Sequence, residues 1–136
     1  MRNRLKTILR TVLAAAMILI GVTHFRQPEP FVAIVPAYLP EPLLLVYLSG
    51  FFEILGGVGL CLSRVRKISA WGLVALYIAV FPANLNMAIN RLSLPGSDPI
   101  PDWVLWARLP LQVVLILWAY WYTRAEGKGR ADGVIA

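Results

Sequence analysis

The chain has 136 residues, 59% of them hydrophobic and only 15% charged. A soluble domain of this length cannot hide so much apolar surface, so the composition excludes an ordinary globular fold and points to a protein that leaves much of that surface in lipid. The net charge of +6 does not indicate nucleic-acid binding, because the basic residues gather at the ends of apolar segments and form no basic face.

Four apolar segments follow one another. The first runs from about 7 to 25. It begins basic and turns apolar, like a signal peptide, but its small residues Ala14, Ala15 and Ala16 fall inside the apolar run, so it is expected to stay as an uncleaved first helix. The second covers 43–62, the third 68–89 and the fourth 103–123. Each passes the length of about 18 residues that a bilayer crossing needs. Backbone polar groups in lipid must be satisfied within the segment, which makes these segments helices. The expected fold is therefore an all-α membrane protein: one domain over 1–125, a four-transmembrane-helix bundle. The tail 126–136 is expected to be disordered, with Lys128 and Arg130 near anionic headgroups.

The connections carry signals of their own. Between segments one and two, Pro28, Pro30, Pro36, Pro40 and Pro42 bracket an apolar run from Phe31 to Val35. Proline opens and stops helices, so this stretch reads as a short helix in the outer interface, or else as a loop packed on the top of the bundle. The connection RLSLPGSDPIPDW reads as irregular coil, with Asp102 as a helix cap. Of the 13 lysines and arginines, all but Arg26, Arg91 and Arg108 lie before segment one or in its first turn, between segments two and three, or after segment four. The positive-inside rule then places both termini in the cytoplasm, N-in and C-in. Trp103 and Trp106 at one end of segment four, and Trp118 and Trp121 at the other, fit interfacial aromatic belts.

Glu53 stands halfway along segment two, the one charge in it. A carboxylate there costs roughly 2.5–3.5 kcal/mol on insertion scales, so something must stabilise it. With the orientation above, His24, Asn84, Asn86, Asn90, Arg108 and Gln112 share its half of the membrane although they come from the other three segments. Ser49, Glu53 and Gly57 form an i, i+4, i+8 stripe flanked by Gly50 and Gly56, small enough for a neighbouring helix to approach closely. Pro82 and Pro110 release backbone carbonyls at membrane depth, which is tolerated where they face protein or a cavity. Asn84 and Asn86, two residues apart, are ~200° apart on a regular helix and face one cavity only if the helix is distorted after Pro82.

Two readings of this set stand side by side. In one, Glu53 and Arg108 are the charged pair of an outward-facing pocket, with Glu53 exchanging a proton, Arg108 holding an anionic or carbonyl oxygen and His24 linking to the outside. In the other, the same pair is structural and sets helix order, and His24 is a hydrogen-bonding anchor. A single cysteine, Cys61, excludes an internal disulfide or CxxC redox chemistry, and a single histidine excludes a bis-histidine haem. No spacing suits a zinc or calcium site, a nucleophile–base pair, a phosphate loop or a dinucleotide fingerprint.

The stretches GVTHF, PEPFVAIVPAYLPEP, YLSGFFEILGGVGL, AWGLVALYIAVFPANLNMA and LWARLPLQVVLILWAYWYT cover about 21–123. In order and spacing they resemble the DoxX family of small four-helix bacterial membrane proteins. The resemblance implies a multi-pass protein of the bacterial cytoplasmic (inner) membrane, with His24, Glu53, Asn84 and Arg108 as the family's characteristic polar positions. It also implies association with membrane redox complexes, since relatives form part of a thiosulfate–quinone oxidoreductase and others accompany oxidative-stress enzymes. More distant relatives assist assembly or maturation of other proteins. The expected function is thus a redox-associated subunit binding a quinone or similar small molecule around His24, Glu53, Asn84, Asn86, Arg108 and Gln112. The alternative is a non-enzymatic assembly or scaffold factor with a protein partner or a second copy of itself. A solute carrier is the weaker reading, because four helices leave little room for alternating access.

Overall fold

The proline-rich connections cut the chain into helices of very unequal length in the computed structural model, which describes residues 1–93 and 95–124. Four are long: α1 (Arg2–Arg26), α3 (Pro42–Cys61), α4 (Arg66–Ile89) and α5 (Asp102–Trp121). Each is long and apolar enough to cross a membrane. The fifth, α2 (Glu29–Val32), is a single turn in the connection between α1 and α3. No strand occurs among the described residues. The tail over 126–136 lies outside them.

Local chemistry sets the helix ends. The basic stretch before Thr7 contains no proline or glycine, so α1 begins at Arg2, ahead of the apolar segment. Pro42 opens α3 at a position whose missing N–H costs nothing. At its other end the Arg66 Nε donates to the Leu60 carbonyl at 3.0 Å, satisfying one of the last helical acceptors. α4 closes with Arg91 in the left-handed region, φ 49°, and the Leu92 N–H returning to the Met87 carbonyl at 3.0 Å. The expected cap of α5 is different: Asp102 is its first residue, makes no capping hydrogen bond, and instead lies 3.3 Å from Arg91. Both side chains of that pair are largely exposed, so it adds little.

α3 packs against both α1 and α4, and α5 packs against α4. The α1–α3 seam is made of glycine. A Cβ on Gly50 would lie 2.6 Å from the His24 Cβ, and one on Gly57 would lie 2.8 Å from the Ala14 carbonyl oxygen. Dispersion and close packing hold helices together where apolar burial gives no preference over lipid. At the end that carries Met1 and the turn after α3, Leu13, Met17, Leu60, Leu73, Tyr77 and Ala119 are buried together. There the Tyr122 hydroxyl donates to the Lys6 carbonyl at 3.2 Å, and the Lys6 ammonium sits 5.6 Å from the Trp121 ring centre. At the opposite end a smaller cluster joins Ile34, Met87, Ala88 and Leu105.

Ile34 belongs to the connection between α1 and α3. Beyond α2 that connection turns and packs onto the end of the bundle. Of the two expectations for this stretch, the structure combines a one-turn helix with a packed loop. Between the two buried clusters the side chains leave a space, although α1 and α3 stay in contact along the glycine seam.

Candidate functional site

The space between the clusters is a cavity of about 580 Å³. Every helix contributes to its wall. His24 comes from α1, Phe31 from α2, Ser49 and Glu53 from α3, Tyr77 and Asn84 from α4, and Arg108 and Gln112 from α5. The packed connection supplies Ile34, Val35, Pro36 and Leu39 at one end. The remaining surface is apolar, with Leu48, Phe52, Val80, Leu111 and Leu115 among the lining residues. A cavity of this size and balance suits a small amphipathic molecule. Of the residues expected to meet, His24, Glu53, Asn84, Arg108 and Gln112 line this one space.

The glycine seam brings His24 to Glu53. Because Gly21 and Gly50 carry no side chains, α1 and α3 come close enough for the His24 Nδ1 to stand 3.3 Å from the Glu53 Oε2. The same nitrogen is 2.8 Å from the Ile20 carbonyl oxygen. A carbonyl only accepts, so Nδ1 carries the hydrogen, and in a neutral ring Nε2 is the acceptor. The imidazole also stacks on Phe31, with ring centres 3.8 Å apart and planes 20° apart. Glu53 is 7% exposed, and its Oε2 is buried with no hydrogen-bond partner among the described residues. A buried acceptor left unpaired costs about 1–3 kcal/mol, more when charged.

The charged pair expected between Glu53 and Arg108 is not formed. Among the described residues the ion-pair neighbour of Glu53 is His24. The Arg108 Nη1 donates to the Met87 thioether sulfur at 3.2 Å, a weak acceptor. The reason is topological. α5 is seated on α4, so the Arg108 side chain reaches its α4 neighbour, and the cavity separates it from α3.

Gln112 is 4% exposed and its amide is oriented by α4. Its Nε2 donates to the Tyr77 carbonyl at 2.6 Å, which turns its Oε1 toward Asn84, whose Nδ2 donates to it at 2.5 Å. The Tyr77 hydroxyl in turn donates to the Met17 sulfur. Tyr77 directly precedes Ile78, whose carbonyl Pro82 leaves without its helical donor. The bond therefore falls one residue before the carbonyl that Pro82 frees.

Asn86 is a correction. It does not line the cavity. Its Nδ2 donates to the Ile34 carbonyl at 2.9 Å, and its Oδ1 accepts from the Asn90 Nδ2 at 2.6 Å. The turn of ~200° between Asn84 and Asn86 is kept, because α4 continues as a helix through Pro82 to Ile89. Asn84 faces the cavity and Asn86 fastens the connection over it.

Three contributors were not singled out from the sequence. Tyr77 acts through its backbone carbonyl as much as its hydroxyl, Met87 through a sulfur, and Phe31 through its ring. The aromatic and methionine side chains are indistinguishable in sequence from lipid-facing or core residues. Only Pro82, one turn further along α4, marks the region of Tyr77.

The chain belongs to the family described as a domain of unknown function (DUF8561), whose model matches residues 13–123. That span contains every residue of the cavity wall. No curated protein and no solved structure matches the chain.

Proposed function

We propose that this chain is a DoxX-like subunit of a membrane redox system, set in the bacterial cytoplasmic membrane with both termini inside. Its cavity holds a quinone or a similar small molecule near Glu53 and Arg108. The observation that carries this reading is the Glu53 carboxyl, buried at the cavity wall and without a hydrogen bond among the described residues. A group that costs stability in this way is retained where it meets a ligand. Arg108 supports the reading, since one of its donors rests on a thioether and the rest of its fork is available to an oxygen acceptor. The apolar remainder of the wall suits a ring and the start of a chain. The basic residues near Met1 and in the turn between α3 and α4 support the orientation.

The test is extraction of bound small molecules from protein purified in mild detergent, with mass-spectrometric identification, for wild type and Glu53→Gln side by side. A quinone retained by the first and lost from the second is the expected result. Identical lipids in both, with the variant merely less stable, would make Glu53 structural and favour an assembly or scaffold role.

A further inference from the structure

The cavity is covered at one end and open at its side. Ile34 and Pro36 of the connection between α1 and α3 both line it and are both buried, so the end nearest Met87 and Leu105 is covered. The side is set by how α3 and α4 meet. Leu48, Phe52, Gly56 and Gly59 lie on one stripe of α3, at i, i+4, i+8 and i+11. Where the stripe is glycine the helices touch: a Cβ on Gly56 would lie 2.6 Å from the Leu73 Cδ2, and one on Gly59 would meet the Ser69 side chain. One and two turns nearer the start of α3 the stripe carries Phe52 and Leu48, and there it is not covered. Phe52 is 49% exposed and Leu48 43%, although both line the cavity. On α4, which runs antiparallel to α3, the positions that follow Leu73 on this side are Leu76, Ala79 and Val80. All three line the cavity, and Ala79 is exposed. Lining the cavity does not by itself expose a residue, since Met17, Glu53, Tyr77 and Gln112 line it and are buried. The exposure of Leu48, Phe52 and Ala79 is therefore to the outside of the bundle, and these residues border an opening between α3 and α4.

Leu48 and Phe52 stand about 9 and 15 Å along α3 from Pro42, which is acyl-chain depth in a helix that crosses the bilayer. Apolar side chains at that depth lose nothing by facing lipid, whose tails are as apolar as leucine. A hydrated ion or sugar would have to shed its water to pass them. We infer that the cavity is filled from the bilayer, through the opening between α3 and α4, by an amphiphile with a polar head and a long apolar tail. The head enters the cavity and the tail stays in the opening, between Leu48, Phe52 and Ala79. This inference rests on the proposed ligand site and adds the route to it and the tail its ligand must carry. A tailed quinone and a fatty acid share this chemistry, so the experiment separates the two sources.

The full-length chain in phosphatidylcholine nanodiscs is irradiated with two probes, a benzoquinone and a fatty acid, each with a photoreactive diazirine at the far end of a long alkyl tail. The labelled peptides are identified by mass spectrometry. Specific labelling is the part removed by an excess of the same compound without the diazirine. It is expected over 48–52 and 76–83. In Ala79→Trp, whose indole narrows the opening, half-saturation should need a roughly tenfold higher mole fraction of probe. Ala75→Trp, at an exposed α4 position that does not line the cavity, should leave it unchanged, with thermal midpoints confirming that both variants are folded. Specific labelling by the fatty acid and not by the quinone would keep the route and the tail while the quinone falls. Specific quinone labelling confined to 31–39 would mean that the tail leaves through the covered end, overturning the inference while the quinone site stands. Equal effects of the two tryptophans, or no specific labelling by either probe, would also overturn it.

Discussion

His24 and Glu53 face each other across the α1–α3 seam with Nδ1 3.3 Å from Oε2, yet the hydrogen on that nitrogen serves the Ile20 carbonyl at 2.8 Å. The two titratable side chains are neighbours without being partners. The arrangement holds a carboxyl at the cavity wall whose hydrogen-bonding capacity is not consumed by the fold.

Replacing Glu53 by an apolar residue of similar size should therefore stabilise the protein. Glu53→Leu removes an unpaired buried acceptor and is expected to raise the unfolding free energy in detergent by about 1–3 kcal/mol while abolishing ligand retention. Thermal and denaturant unfolding in mild detergent measure it. A less stable variant would mean that the carboxyl holds the bundle together.

The glycine seam gives a pair of opposite outcomes from the same chemical change. Gly50→Ala places a Cβ 2.6 Å from the His24 Cβ and 2.8 Å from the Gly21 carbonyl oxygen, so α1 and α3 must separate. The expected loss is about 1–3 kcal/mol, with ligand retention falling as His24 moves from Glu53. Gly72→Ala on α4 meets nothing within 4 Å and should stabilise by about 0.5–1 kcal/mol through helix propensity alone. Equal effects of the two on the unfolding midpoint would remove the seam from the account.

Gln112 links α5 to α4 at two points, so its removal strands two groups. Gln112→Leu leaves the Asn84 Nδ2 without its acceptor and takes a donor from the Tyr77 carbonyl, at an expected cost of about 1–3 kcal/mol. Asn84→Ala alone should cost less. A double-mutant cycle between the two should return a coupling of about 0.5 kcal/mol or more. Additive effects would show that the bond contributes nothing to the packing of α5 on α4.

Asn86 fastens the connection above the cavity. Asn86→Ala removes the donor to the Ile34 carbonyl and should speed amide hydrogen exchange over 31–39, with little change over 43–62. Retention of bound molecules is expected to fall as the cover loosens. Unchanged exchange over 31–39 would show that the burial of Ile34 with Met87, Ala88 and Leu105 is sufficient to hold it.

The four long helices were legible because each is announced by one dominant physical demand: about 20 apolar residues that must satisfy their own backbone in lipid. The helix ends shifted by a few residues, as at Arg2, because polar residues that carry no apolar signal still continue a helix. Glu53 was legible for the same reason in reverse, since a lone charge in such a segment demands a partner. Asn84 and Asn86 were separable in principle by helical geometry, and the structure divides their roles along that ~200° turn.

What the linear chain determined, then, is which segments are helices and which polar residues share one half of the membrane, because hydropathy and rise per residue act locally. Which of those residues touch was decided only by tertiary packing. Depth places Arg108 in the same half of the membrane as Glu53, but the seating of α5 on α4 sends Arg108 to Met87, and the close glycine contact of α1 with α3 sets Glu53 beside His24. Rotation of each helix about its axis and the choice of its neighbours depend on the summed contacts of many side chains, and no single residue states them.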